Sequence, residues 1–127
     1  MTEPCEEMLK QQLLKYNFQP KNICMLDRYD HSVSEKVLGI LLEWACYGQN
    51  ISGIMMGRKK IAEIPQLWLK MHLIDVVKRD FEYWDDWNYR RLLEMVVEVI
   101  PDLKDPILSL NAETENADLI EVIHDFK

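Results

Sequence analysis

Apolar residues recur along this chain at helical spacing, and Pro, Gly and Asn interrupt them at intervals that mark out helices. Pro4 stands where a first helical residue is tolerated, and Met8, Leu9, Leu13 and Tyr16 follow until Asn17-Phe18-Gln19-Pro20 ends the segment. From Lys21 to His31 the apolar residues Ile23, Met25 and Leu26 are too few to set a period, so this stretch reads as a connection with at most one helical turn. Ser32 and Glu35 have the spacing of a capping box. The helix they open places Val37, Ile40, Leu41, Trp44 and Ala45 on one stripe, widened by Leu38, Leu42 and Cys46, which marks it as central.

Gly48-Gln49-Asn50 breaks that helix, with Asn50 able to cap the next one, which runs to Ile64 with Ile54, Met55, Ile61 and Ile64 as its face and stops at Pro65. Residues 66–78 form a further helix, with Leu67, Met71 and Ile74 on one line and Leu69, Leu73, Val76 and Val77 beside it, a pattern expected to lie mostly inside. Asp85 or Asp86 caps the helix whose face is Tyr89, Leu92, Leu93, Val96, Val97 and Ile100, opposite Asp86, Arg90, Glu94 and Glu98. Pro101 closes it. Asp105-Pro106 start a short helix as cap and first residue, and the last helix follows Asn116 with Leu119, Val122, Ile123 and Phe126 on one stripe.

No segment alternates with period two, so the expected fold class is all-α: a single domain over residues 1–127 with about six helices. Ile64-Pro65-Gln66-Leu67 returns as Ile100-Pro101-Asp102-Leu103, 36 residues later, a spacing that helix-pair repeats use. A HEAT-like stack of antiparallel helical hairpins and an irregular helical bundle both fit that echo, because a shared helix-stop signal produces it equally well.

Composition changes the picture little: 48% hydrophobic, 29% charged, four Gly and five Pro make an ordinary globular balance. Charge changes it more. The net charge is −7, yet residues 1–79 carry 11 Lys and Arg against 9 Asp and Glu, while residues 80–127 carry 4 against 13. Such a field repels phosphate backbones and draws a basic protein, so the expected partner is a protein and not nucleic acid. A solvated acidic face serving solubility alone fits the same numbers. With no apolar run of membrane-spanning length, no leader-like start and no paired cysteines among Cys5, Cys24 and Cys46, the expectation is a cytoplasmic chain with reduced thiols and no membrane partner.

Catalytic and metal chemistry find little support in the spacing. Glu121 and His124 form the Glu-x-x-His half of a di-iron site, but neither His31 nor His72 has a Glu three residues before it, so His124 reads as a solvated last-turn histidine. His72, among Leu69, Leu73 and Val76, reads as a core or boundary residue. Gly53-x-x-x-Gly57 before Arg58-Lys59-Lys60 lacks the spacing and ending of a phosphate loop and points instead to close helix packing. Asp30-His31-Ser32 imitates a triad in sequence, where side chains do not converge. No cofactor, no metal and no enzymatic activity are therefore expected.

The most unusual stretch interleaves Phe81, Tyr83, Trp84, Trp87 and Tyr89 with acids. In one reading Trp87 and Tyr89 anchor the helix in the core while the acids cap it. In the other the stretch meets a partner, with Asp80, Glu82, Trp84, Asp85 and Asp86 as the binding residues, since Trp and Tyr dominate interface hot spots and stack with arginine.

Three segments together resemble a family: Asp86-Trp87-Asn88-Tyr89-Arg90-Arg91-Leu92-Leu93-Glu94, Gly57-Arg58 through Ile64-Pro65-x-x-Trp68-Leu69, and Asp118-Leu119-Ile120-Glu121-Val122-Ile123-His124-Asp125-Phe126. They look like small all-helical bacterial immunity-type proteins, the partners of polymorphic or contact-dependent toxins. The resemblance implies a HEAT-like helical domain that neutralises one cognate toxin domain by covering or distorting its active site. The alternatives are a helical ligand-binding protein or enzyme with a pocket near His72, Trp68 and Arg91, and a structural homo-oligomer or homodimer joined through its broad apolar helices.

Overall fold

The computed structural model describes residues 4–80 and 84–127, and the first helix, α1 (Pro4–Leu14), begins at the expected proline and buries Leu9 and Leu13. Asn17 ends this segment in the left-handed conformation, φ 55°, which asparagine tolerates. The reversal lets the Phe18 amide bond back to the Leu13 carbonyl at 3.2 Å and turns the Phe18 ring fully inside, edge-on to Tyr29 at 4.8 Å.

Residues Pro20–Arg28 form 3-10 turns, interrupted at Met25, where a connection with at most one turn was expected. Ile23 and Leu26 are both buried there, so two apolar residues at i, i+3 secure a segment too short for a periodic signal. The next helix, α2 (His31–Leu42), also departs from expectation, because its N-cap is Asp30 and not Ser32. The Ser32 hydroxyl lies in the first turn and donates to Asp30 at 3.2 Å. Glu35 leaves the capping box unused because its carboxylate has a stronger, cationic partner in Arg79, 2.8 Å away.

At Glu43–Tyr47 the helix widens into a π turn, which buries Ala45 and Cys46. Asn50 caps α3 (Ile51–Ala62) as expected, accepting from the Ser52 amide at 2.8 Å. Gly53 and Gly57 face the π turn, and the Trp44 ring covers Gly53, so the small-residue spacing is one of close helix packing. Met56, not Met55, fills the buried face of α3.

Helix α4 (Gln66–Asp80) runs to Asp80, two residues beyond the expected end, and packs on α2. Its buried side is Trp68, Leu69, Leu73, Val76 and Val77. The Leu69, Leu73, Val76 and Val77 side lies inside as expected, but of the neighbouring line only Ile74 packs against the core, with Leu67 73% and Met71 66% exposed. Asp85 caps α5 (Asp86–Val99), accepting from the Asn88 amide at 2.7 Å, and Met95 takes the buried place expected of Val97. A 3-10 turn at Pro101–Leu103 leads into α6 (Lys104–Ser109), which starts one residue before Asp105 rather than after it. Asn116 caps α7 (Ala117–Phe126), accepting from Asp118 and Leu119, as its position predicts.

Among the described residues there are seven α-helices with 3-10 and π segments and no strand, so the all-α expectation holds. One continuous core runs from Cys5 to Val122 through every α-helix, and each fully buried Leu or Ile in it stabilises by roughly 1.5–3 kcal/mol. Helix α5 lies at the centre, packed against α3, the π turn, α6 and α7. The Tyr89 hydroxyl, deep in that core, donates to the Ile107 carbonyl of α6 at 2.8 Å. The two Ile-Pro corners open different elements, the long α4 in one case and a 3-10 turn with the short α6 in the other. The echo in the sequence thus marks a common helix-stop signal, and the helices form a bundle around α5. No helix among the described residues is long and apolar enough to cross a membrane.

Candidate functional site

The π turn and the start of α5 pack together and bring aromatic and acidic residues into one surface. The π turn widens the helix just before Gly48, and Tyr47 emerges half-exposed beside it. Trp84, half-buried at the entrance to α5, stacks on Tyr47 with ring centres 6.1 Å apart and planes 26° apart, and tilts against the buried Tyr89 at 5.9 Å. Trp87, one turn further on, is 42% exposed and donates its indole N–H to the Gly48 carbonyl at 3.3 Å. Asn88 secures the junction from inside, its Nδ2 donating to the Cys46 carbonyl at 3.1 Å in a buried bond.

Charges surround these rings. The Arg91 guanidinium lies over Trp87, 4.4 Å from the ring centre, and its Nε is 3.0 Å from the Glu94 carboxylate. Glu94 also accepts from Arg58 of α3, so one carboxylate ties two arginines of two helices. The Tyr47 hydroxyl is pushed up to about 12, first by desolvation and further by its ionisable neighbours, the Cys46 thiol and the Asp85 and Glu43 carboxylates. It therefore remains a neutral phenol through physiological pH.

The expected binding residues separate into distinct roles. Asp80, at the end of α4, turns back towards α2, where Arg79 bridges it at 2.9 Å to Glu35 at 2.8 Å, and its carboxylate lies against Gly39. Glu82 falls outside the described residues, as do Phe81 and Tyr83. Trp84, Asp85 and Asp86 lie together at the start of α5, with Asp85 serving as its cap and Asp86 exposed. The core-anchor reading of the aromatic stretch holds for Tyr89, which is fully buried, and not for Trp87, which lies at the surface. Glu43 and Tyr47 belong to the same surface and were not among the expected residues. They lie about forty positions earlier, and local periodicity carries no signal for a π turn.

Of the alternative constellation, two members meet and the third has other partners. Trp68 and His72 stack at 4.4 Å on α4, with His31 edge-on to His72 at 4.9 Å and Glu35 3.5 Å from its Nδ1, while Arg91 is engaged with Trp87 and Glu94. His72 is thus a boundary residue of the α2–α4 contact. Among the described residues no three His, Cys, Asp or Glu side chains gather to hold a metal ion. An open groove of about 790 Å³ runs beside α3, lined by Met55, Ala62, Arg58, Lys59, Glu98 and Val99, and a smaller one of about 430 Å³ lies between α6 and α7.

Compared with known proteins, the chain matches no family model, no curated protein and no solved structure.

Proposed function

We propose that this chain is a non-catalytic protein-interaction module, most specifically an immunity-type protein that binds and neutralises a cognate toxin domain of basic character. The observation that carries this reading is the exposed aromatic surface of Tyr47 and Trp87 beside Glu43, Asp85 and Asp86. A tryptophan and a tyrosine left partly in water offer large contact area with few rotatable bonds to order. The acids around them accelerate encounter with a positively charged partner.

The gene beside this one is expected to encode a large secreted protein with a basic C-terminal domain. That domain, purified, should bind the chain and lose its toxicity on co-expression with it. Absence of both binding and protection would remove the immunity assignment. Reversing Asp86 to lysine should weaken binding mainly through a slower association rate, while Asp85→Asn, which keeps the capping oxygen, isolates the charge at the neighbouring position. Unchanged association rates would place the interface elsewhere.

A second reading, a homo-oligomer joined through α4, is favoured by one observation: Leu67 and Met71 stand one turn apart and largely exposed. A concentration-independent monomer mass in light scattering removes it.

A further inference from the structure

The surface at the start of α5 already contains one worked example of the chemistry it offers. Arg91 lies over Trp87 at 4.4 Å and meets Glu94 at its edge, 3.0 Å from Nε. A guanidinium on an aromatic face that also donates to a carboxylate, as Arg91 Nη2 does to Glu94 at 3.1 Å, keeps both its charge partner and its stacking when water leaves. The rest of the surface has the same ingredients. Tyr47 is 38% exposed and stacks on Trp84, and Asp85 and Glu43 lie close enough to act on its hydroxyl. The Trp87 indole donates to the Gly48 carbonyl, next in the chain to Tyr47, so the second exposed ring is tied to the same turn.

We infer that this surface binds an arginine-bearing segment of a protein partner, with the guanidinium against Tyr47 and Trp84 and its charge met by Asp85 and Asp86. The inference rests on the interaction-module reading and specifies the chemistry by which the partner is recognised. Charge complementarity selects the occupant, since Glu43, Asp85 and Asp86 are all exposed near these rings and attract a cationic loop. Arginine is favoured over lysine because its flat, weakly hydrated head stacks on a ring, whereas an ammonium holds its water.

The test uses the full-length chain labelled with nitrogen-15 and follows the indole N–H signals of its four tryptophans by NMR. The probe is a Gly-Ser peptide carrying arginines. A control peptide has citrulline in their place, which keeps the shape without the charge. The Trp84 and Trp87 signals should move with the arginine peptide. Those of Trp44, hydrogen-bonded to Gln12, and of Trp68, stacked on His72, should stay. Tyr47→Ala and Asp86→Asn should each weaken binding by about two- to fivefold. Asp86 is exposed, so its variant keeps the test valid if Tyr47→Ala loosens the π turn. Still signals at Trp84 and Trp87, or equal movement with the citrulline peptide, overturn the inference.

The two levels fail separately. A chain that binds the toxin domain but gives no shift with the arginine peptide keeps the module and loses this site. A chain that binds the peptide at Trp84 and Trp87 but ignores the toxin domain keeps the site and loses the immunity assignment.

Discussion

Gly57 and Ala45 meet backbone to backbone: a methyl group on Gly57 would stand 2.7 Å from the Ala45 nitrogen and 3.1 Å from its Cα. Neither atom can rotate away, so α3 can approach the π turn this closely only without a side chain at position 57. Gly57→Ala is therefore expected to destabilise by about 1–3 kcal/mol despite the better helix propensity of alanine. Gly39 provides the contrast. A methyl there meets the carboxylate oxygen of Asp80 at 2.8 Å, the movable end of a side chain. Gly39→Ala should cost little, and urea unfolding of the two variants should rank them clearly apart.

The π turn depends on Asn88, whose amide reaches the Cys46 carbonyl from inside α5. Asn88→Ala removes the donor and should cost about 1–3 kcal/mol. Asn88→Asp should cost more, because it sets a carboxylate against a carbonyl. Equal unfolding midpoints for these two variants would contradict a donor role for the amide.

Glu35 couples α2 to α4. The hydrogen bond from Arg79, opposed by partial burial and aided by His72, holds its carboxyl below the ordinary 4.5. A depressed value means that the folded chain favours the charged form, so this stabilisation is present above about pH 4.5 and disappears as pH falls through the lower folded value. Glu35→Gln should be less stable than the parent at neutral pH and converge with it in acid. A constant gap across the pH range would show that charge is not the cause.

The cysteines should differ sharply in reactivity. Burial pushes the Cys46 thiol up to about 12, opposed in part by the charge of Arg58, whereas Cys24 is exposed. A thiol reagent at neutral pH should modify Cys24 quickly, with that fast phase absent in Cys24→Ser. Cys46 should react only as fast as the chain unfolds, which rate measurements with and without urea will reveal.

Helix existence was readable along the chain because its causes are local. Pro4 at a helix start, Asn50 and Asn116 as caps and the corner at Pro65 act within a turn or two of themselves, through hydrogen bonds between near neighbours. Where a local signal had a competitor, it failed. Ser32 and Glu35 had the spacing of a capping box, but Arg79, far along the chain, claimed the Glu35 carboxylate. The facing of α4 was undecidable from periodicity, because apolar residues surround it and only contact with α2 buries Trp68 while leaving Leu67 and Met71 in water.

The candidate surface divides in the same way. Its Trp84, Asp85 and Asp86 stand together in the sequence, and their aromatic and acidic character announced an unusual helix entrance. Tyr47 joins them through a π turn pinned by Asn88 and made possible by the small Gly57, contacts between residues 12 and 42 positions apart. Spacing and charge establish the helices and the acidic half because each depends on residues close in the chain. The assembly of Tyr47, Trp84 and Trp87 into one surface depends on backbones that meet only after the core has closed, and no local pattern encodes such a meeting.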